Sequence, residues 1–218
     1  MASTLVPVLL IVCWVRCHAL VLPPDVSSLP IFPLRKRVRL PGETLTLNLY
    51  EDRYLRMSEN ILNQDKRLFG ALFSANKPQL VSRGSGPIIP MIDIGDTGVV
   101  FEVLHSEEGM VPTRGGELRR RVRLEAVGVG RFTVDEILSD GTNIGDNLPY
   151  LLVRSSLRRT VIDNKERQTG SAIDEVGSFA LASTQVSMDE TTARQGLLEM
   201  DSLADRLALL DERSKKPT

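Results

Sequence analysis

The chain has 218 residues, of which 42% are hydrophobic and 25% are charged, so it is long enough and apolar enough for one large folded domain or two small ones. Its formal net charge of −1 excludes the strong overall field that draws proteins to nucleic acids or anionic membranes. Local basic clusters therefore have to be judged one by one.

The N-terminus has the pattern of a secretory signal peptide. Residues 5–15 form an uninterrupted apolar run that is too short to span a bilayer, and a Cys-His-Ala sequence at residues 17–19 offers small residues for cleavage. We expect residues 1–19 to be removed and residues 20–28 to form a lead-in segment. Because no Lys or Arg precedes the apolar run, an uncleaved membrane anchor is the alternative.

Cleavage would change the inventory of reactive side chains. It would remove both cysteines, Cys13 and Cys17, and would leave His105 as the only histidine of the mature chain. Disulfides, a cysteine nucleophile and a cysteine-based zinc site would then be excluded. The signal peptide implies entry into the endoplasmic reticulum, followed by the secretory pathway or a plastid of secondary origin.

The first predicted elements follow the lead-in segment. An apolar stretch at residues 29–34 leads through a basic run to an LPGE turn at residues 40–43. Residues 45–49 then alternate between leucine and polar residues, which predicts a half-buried strand. From residue 50 to residue 62 the apolar residues are spaced by three and four positions, which predicts an amphipathic helix.

Short strands separated by loops are predicted for the middle of the chain. Residues 67–75 are apolar and predict a buried strand in which Gly70 leaves room for a close neighbour. Further strands are predicted at residues 97–104, 117–129, 131–137 and 148–153, with loops at residues 77–89 and 106–116 and a turn at residues 140–143. This succession favours a curled or barrel-like antiparallel sheet.

Two of these predicted strands alternate between apolar and charged residues, as in a sheet with one face in solvent. The inward residues are predicted to be Leu118, Val122, Leu124 and Ala126 in the first strand, and Phe132, Val134 and Ile137 in the second. The arginines between them would then face solvent.

The composition changes in the last third of the chain. Residues 157–170 are polar and charged, which indicates a boundary. Helices are predicted at residues 172–186 and 190–213, the second with an interruption near Asp201, and residues 187–190 supply a Ser and an Asp to cap it. The sequence thus predicts an α+β chain with a β-rich part at residues 29–156 and a helical part at residues 157–214.

Several segments resemble the N-terminal, substrate-binding domain of Lon proteases, and they follow the family's order between residues 29 and 210. They comprise an LP-apolar-FPL opening, the LPGE turn, a YExRYxxM helix start, a GxxRF junction and the helical motifs FALAS, RQGLLE and RLALL. The residues that carry the resemblance, which we interpret as structural, are Phe32, Pro33, Leu34, Pro41, Gly42, Tyr50, Glu51, Arg53, Tyr54, Gly128, Arg131, Phe132, Leu198, Glu199, Arg206 and Leu207.

The resemblance implies a fold and a function. The fold would be a PUA-like antiparallel β-barrel followed by a C-terminal helical bundle, in a stand-alone version of the domain. No phosphate-binding GxxxxGK[ST] loop occurs, and the length leaves no room for a protease domain, so Lon activity is not expected. The implied function is non-enzymatic binding of unfolded or tagged polypeptides, without cofactor or metal. The chain would act as an adaptor or regulator in protein quality control, with a protease or chaperone as possible partner.

Two alternatives come from other residues. The basic runs at residues 35–39 and 119–123 could lie on one sheet face and bind RNA, but only 5% of residues are aromatic, which leaves few platforms for stacking bases. His105 with Glu107 and Glu108 could form the site of a small hydrolase, although a lone histidine at the end of a strand is more typical of a solvated turn. Nucleic acid is therefore not the expected partner, and no residue of a polypeptide-binding groove is predicted.

Overall fold

The computed structural model describes residues 28–35, 37–74, 79–81, 89–91, 96–141, 148–158, 175–187 and 190–214. The predictions for the signal peptide, for the lead-in before residue 28 and for most of the 157–170 boundary lie outside these residues. The strands are β1 (Leu29–Arg35), β2 (Thr44–Leu49), β3 (Leu68–Ser74), β4 (Gln79–Val81), β5 (Ile89–Met91), β6 (Thr97–Pro112), β7 (Leu118–Asp140) and β8 (Leu151–Arg158). The helices are α1 (Asp52–Leu62), α2 (Glu175–Gln185), α3 (Thr191–Glu199) and α4 (Leu203–Ser214).

Six strands form one sheet in the order β2-β7-β6-β3-β1-β8, and β7 also pairs with β8. The pairings from β7 through β6, β3, β1 and β8 back to β7 therefore form a closed circuit, with β2 attached to β7. The 23-residue strand β7 makes this possible because its first part pairs with β6 and β2 and its last part with β8. Strands β4 and β5 form a separate antiparallel pair, with β4 inside the predicted 77–89 loop and β5 starting at its last residue.

One pairing departs from the predicted antiparallel sheet. Strand β1 is parallel to β3, with Ile31 opposite Gly70. A parallel pair needs a long connection, and β2 and α1 supply it because they lie between β1 and β3 in the chain. Gly70 does lie at a close approach, as predicted: a Cβ there would be 2.4 Å from Ile31 Cδ1 and 2.7 Å from Phe132 Cζ.

The predicted loop at residues 106–116 is wrong, because β6 continues to Pro112 and the turn spans only residues 113–117. Glu107 lies opposite Arg123 of β7, and the carboxylates of Glu107 and Glu108 bind Arg121 and Arg120 of that strand. Such contacts between opposite charges favour strand pairing. The predicted break after residue 129 is also wrong, since β7 is continuous.

Alternation along β7 holds where the strand covers the core and fails at both ends. Val122, Leu124 and Ala126 are buried as predicted, whereas Leu118 is 66% exposed and Ile137 is 52% exposed. Leu118 lies where the hairpin extends past the core. Ile137 lies between two register shifts in the β7–β8 pairing, which interrupt the alternation.

The helices share the main core with the sheet. Phe179 of α2, Leu197 of α3 and Leu210 of α4 belong to the same buried cluster as Leu47 of β2 and Met57 of α1. A second, smaller cluster around Phe132 joins β1, β3, β7 and β8. Sheet and helices therefore stabilise each other.

The helix boundaries correct two predictions and confirm a third, the interruption near Asp201. Helix α1 begins at Asp52, after its N-cap Glu51, and not at Tyr50. The N-cap of α3 is Glu190, whose side chain accepts no hydrogen bond from the N–H groups of the helix. Its carboxylate instead accepts a hydrogen bond from the N–H of Ser187, which precedes the helix, at 3.2 Å. The predicted interruption of the 190–213 helix near Asp201 is a full break between α3 and α4, because the backbone of Met200 is extended. Among the described residues, each helix is too short or too polar to cross a membrane.

Candidate functional site

An aromatic cluster joins the first strand to the first helix. The Phe32 and Tyr54 rings lie 4.8 Å apart between centroids, and the Arg53 guanidinium lies 4.6 Å from the Tyr54 ring. Arg53 Nε also donates to the Glu51 carboxylate at 2.8 Å. Burial raises the pKa of the Tyr54 hydroxyl. These four residues of the Lon-like motifs thus connect β1 with the start of α1. The neighbouring motif residues Pro33, Leu34 and Tyr50 are half-buried.

Two glycines shape the predicted LPGE turn. Gly42 has a φ of +86°, a conformation that favours glycine, and its N–H donates to the Gly128 carbonyl at 2.8 Å. Gly128 in β7 returns a hydrogen bond to the Glu43 carbonyl at 2.9 Å, and a Cβ on Gly128 would lie 3.1 Å from the Leu40 carbonyl oxygen. The turn, with Pro41 buried, therefore packs directly onto β7.

Arg131 of β7 holds the junction between α3 and α4. Its side chain is fully buried, and Nη1 donates to the carbonyls of Leu198 at 2.8 Å and Met200 at 3.0 Å. Nη1 also lies 3.3 Å from the carboxylate of Asp201. Arg158 of β8 donates to both oxygens of that carboxylate, at 2.6 and 3.1 Å. These hydrogen bonds and charges, those of Arg158 first, lower the pKa of Asp201.

A second buried arginine stacks on the same junction. The Arg206 guanidinium lies 3.9 Å from the centroid of the Phe179 ring, with Arg131 at 5.5 Å from that ring. Arg206 also donates to the Ser178 hydroxyl at 2.7 Å and to the Met200 carbonyl. Cation–π contacts and these hydrogen bonds make burial of the two charges tolerable. Three further motif residues lie nearby in sequence: Leu198 is buried, Leu207 is half-buried, and Glu199 accepts a hydrogen bond from Gln195 at 2.7 Å.

Sequence reasoning missed the role of Arg194. It is fully buried in α3 and donates to the carbonyls of Val38 and Val186, both at 2.9 Å, and to the carboxylate of Glu43. The sequence did carry a signal, because Arg194 lies on the apolar face of a helix, three residues before the paired leucines Leu197 and Leu198. The three buried arginines are thus occupied in attaching the helices to the sheet, and the candidate site has to lie elsewhere.

The β6–β7 hairpin extends beyond the rest of the sheet. Pairing of β2 with β7 ends at Val122, whereas β6 and β7 stay paired out to Pro112 and Leu118. We call residues 109–121 the hairpin arm. Met110 is 57% exposed and Leu118 is 66% exposed, and both lie on the face of the arm that also carries Arg120. Arg120 connects the arm to α1, because it donates to Glu108 and to Glu59 at 2.6 Å each.

The described part of the first basic run lies apart from the second. The turn that follows residues 35–39 packs on Gly128, whereas Arg123 lies five residues earlier in β7, about 17 Å away along the strand. Arg120, Arg121 and Arg123 are also paired with glutamates of the sheet or α1. This arrangement neutralises most of the second run.

His105 lies inside β6, not at the end of a strand as predicted. It is exposed and pairs with Glu125 across the sheet, just after a register shift at Val103. The carboxylates of Glu107 and Glu108 bind arginines instead. In the described part of the chain, His, Cys, Asp and Glu side chains do not form a group of three suited to a metal ion.

A cleft of about 280 Å³ lies between the start of β1 and the connection from α1 to β3. It is lined by Ser28, Leu29, Pro30, Gln64, Asp65, Lys66 and Leu68. This volume is just below the range of about 300–1,000 Å³ that is usual for small-molecule sites.

Comparison with known proteins agrees with this fold. The sequence model of the ATP-dependent protease La (LON) substrate-binding domain matches residues 28–151, which is more than half of the chain. A solved structure of a Lon N-terminal domain protein from Xanthomonas campestris has a TM-score of 0.52 and 20% identity, over 88% of this chain and 100% of that one.

The N-terminal domain of Mycobacterium avium complex Lon protease has a TM-score of 0.50 and 15% identity, over 87% of this chain and 100% of that one. At these identities the two structures show a similar fold. A comparison with curated protein sequences finds no match. The family match over residues 28–151 shows that this chain belongs to the Lon substrate-binding domain family.

Proposed function

We propose that this chain is a non-catalytic module that binds unfolded or tagged polypeptides and acts as an adaptor or regulator in protein quality control. Membership of the Lon substrate-binding domain family carries the proposal. The geometry supports it, since Met110 and Leu118 expose large apolar surfaces on an arm beyond the core. Exposed apolar patches of this kind are typical of surfaces that bind other polypeptides.

The structure gives no specific support to the two alternatives. RNA binding would need free arginines along one face, and three arginines of the 119–123 run are paired with glutamates. A hydrolase would need a base with an oriented partner, and the carboxylates near His105 are occupied by arginines.

A binding titration tests the proposed function. Labelled lactalbumin that has been reduced and carboxymethylated, so that it cannot refold, is titrated with the full chain while fluorescence anisotropy is measured. We expect saturable binding that survives nuclease and changes little with salt, whereas RNA binding would weaken steeply as salt rises. Binding of single-stranded RNA without binding of the unfolded polypeptide would contradict the proposal.

Paired substitutions locate the contribution of the hairpin arm. Replacing both Met110 and Leu118 by serine should weaken polypeptide binding about tenfold or more, because each side chain would bury apolar surface worth about 1 kcal/mol in the complex. Ile137→Ser is the matched control, since Ile137 is also about half exposed but lies near the other end of β7. Equal losses for both variants would show that the arm has no particular role.

We also propose the finer fold and the location that the sequence predicts. The closed circuit of strands supports a PUA-like barrel, and the shared core of α2, α3 and α4 supports a helical bundle packed on it. The apolar run at residues 5–15 supports entry into the secretory pathway. N-terminal sequencing of the protein from its own cells should find a first residue near Leu20, and an intact Met1 would contradict cleavage.

A further inference from the structure

Strand β2 has an unusual position in the six-stranded sheet. Strands β1, β3, β6, β7 and β8 each pair with at least two others, whereas β2 pairs with β7 alone. Within the described part of the chain, β2 is therefore the strand of this sheet that has one edge open along its whole length, whereas parts of β1, β6 and β8 extend past their neighbours.

The backbone groups at that edge can be assigned from the pairing. Gly128 donates to the carbonyl of Glu43, so the Glu43 carbonyl and the Gly128 N–H point toward each other between the two strands. Hydrogen-bonded pairs alternate along an antiparallel ladder, so Leu45 and Leu47 also direct their N–H and C=O groups toward β7. The N–H and C=O groups of Thr44, Thr46 and Asn48 then point to the open edge.

This edge lacks the features that usually prevent strand pairing. Natural edge strands are protected by charged residues, proline or bulges, and the TLTLNL sequence of β2 contains no charge, no proline and no glycine. Its pairing with β7 is regular from Thr44 to Leu49. The leucines are buried while the threonines and Asn48 are exposed, which fixes the strand's orientation. The edge is therefore a flat, uncharged row of donors and acceptors.

We propose that an extended segment of an unfolded polypeptide binds by adding a strand to the open edge of β2. The inference rests on the proposed function and names its binding site. A row of alternating N–H and C=O groups is complementary to another extended backbone, whatever its side chains. An uncharged edge therefore suits clients of varied sequence.

The size of the edge favours a flexible chain over a second copy of this protein. A strand of six residues is about 20 Å long and a sheet is about 10 Å thick, so edge pairing covers about 200 Å² on each partner. Stable dimers bury about 1,200 Å² or more in total. An unfolded chain, in contrast, can continue past the edge to Met110 and Leu118 on the hairpin arm, because the arm extends beyond the Leu49 end of β2.

Hydrogen exchange at single amides tests the proposal on the unaltered full chain. With saturating reduced and carboxymethylated lactalbumin, exchange at Thr44, Thr46 and Asn48 should slow about tenfold or more. The amides of Leu45 and Leu47 already bond to β7 and serve as internal controls. Unchanged exchange at the three outward amides, while anisotropy shows bound polypeptide, would overturn the edge site and leave the proposed function intact.

Substitution of one outward residue gives a second test. Thr46→Pro removes an outward N–H without removing a bond to β7, and should weaken polypeptide binding about tenfold. Thr46→Val keeps the N–H and a β-branched side chain, so its affinity should match that of the original chain. Circular dichroism would show whether Thr46→Pro is folded, and the exchange experiment does not depend on it.

Two other outcomes would also overturn the inference. If light scattering shows a dimer that Thr46→Pro converts to a monomer, the edge is occupied by a second copy. If the full chain binds no unfolded polypeptide at all, both the proposed function and the edge site fail.

Discussion

Arg131 illustrates how a charged residue can hold two layers together. Its guanidinium satisfies the carbonyls of Leu198 and Met200 at the end of α3, where intrahelical donors are missing. Arg131→Met would remove the Arg131 donor from the Leu198 carbonyl and one of the two arginine donors from the Met200 carbonyl, so we expect the free energy of unfolding to fall by about 2–4 kcal/mol in urea titrations. Arg119→Met is the control, because Arg119 lies exposed in the same strand. It should change stability by no more than about 0.5 kcal/mol.

Asp201 makes this junction sensitive to acid. Hydrogen bonds from Arg158 lower the pKa of Asp201 below its ordinary value of 3.8. A carboxyl whose folded pKa is lowered contributes stability above its unfolded pKa and loses that contribution as the pH falls toward the folded pKa. The unfolding free energy should therefore decrease less steeply below about pH 4 in Asp201→Asn than in the unaltered chain. Parallel slopes in urea titrations between pH 5 and 3 would contradict this account.

Within elements, strand β6 offers a matched pair of glycines. A Cβ on Gly98 would lie 2.5 Å from the backbone oxygen of Ala71, whereas a Cβ on Gly109 would meet no atom within 4 Å. Gly98→Ala should lower the free energy of unfolding by about 1–3 kcal/mol, because the neighbouring backbone has to move. Gly109→Ala should be neutral or slightly stabilising. Thermal unfolding followed by circular dichroism measures both, and similar shifts for both variants would contradict the packing at Gly98.

The elements also show which features the sequence could predict. Strand β2 and the covered part of β7 follow the alternation of leucine, valine and polar residues, and local periodicity is sufficient for them. The outer half of β6 could not be predicted, because its glycine and glutamates disfavour a strand until Arg120 and Arg121 of β7 bind the glutamates. That register depends on contacts between distant residues.

The break between α3 and α4 has a similar origin. The Met200 carbonyl accepts hydrogen bonds from the side chains of Arg131 and Arg206. In a continuous helix, this carbonyl would accept from a backbone N–H of the next turn. The apolar periodicity on either side showed an interruption near Asp201 but not its cause. For the candidate site, the motifs of the sequence identified the family, whereas the open edge of β2 follows from topology alone.

On the scale of the whole molecule, sheet and helices should unfold together. Phe179, Leu197, Leu198 and Leu210 are buried in the same cluster as the sheet leucines, and each contributes about 1.5–3 kcal/mol. Their sum is comparable to the 5–15 kcal/mol that stabilises a typical domain. A chain that ends at Arg158 should therefore lack a cooperative unfolding transition. Circular dichroism in urea would reveal this, and a stable truncated chain would show that the β-rich part folds alone.

The closed circuit of strands also sets a time scale for synthesis. Leu29 and Pro30 of β1 pair with Val153 and Leu152 of β8, so this contact forms only after about 120 further residues have been made. At about 5–20 residues per second, β1 waits on the order of 6–24 s for that partner. During this interval the apolar β1 segment and the half-built core are exposed. For those seconds, the nascent chain is itself an unfolded polypeptide of the class that the finished protein is proposed to bind.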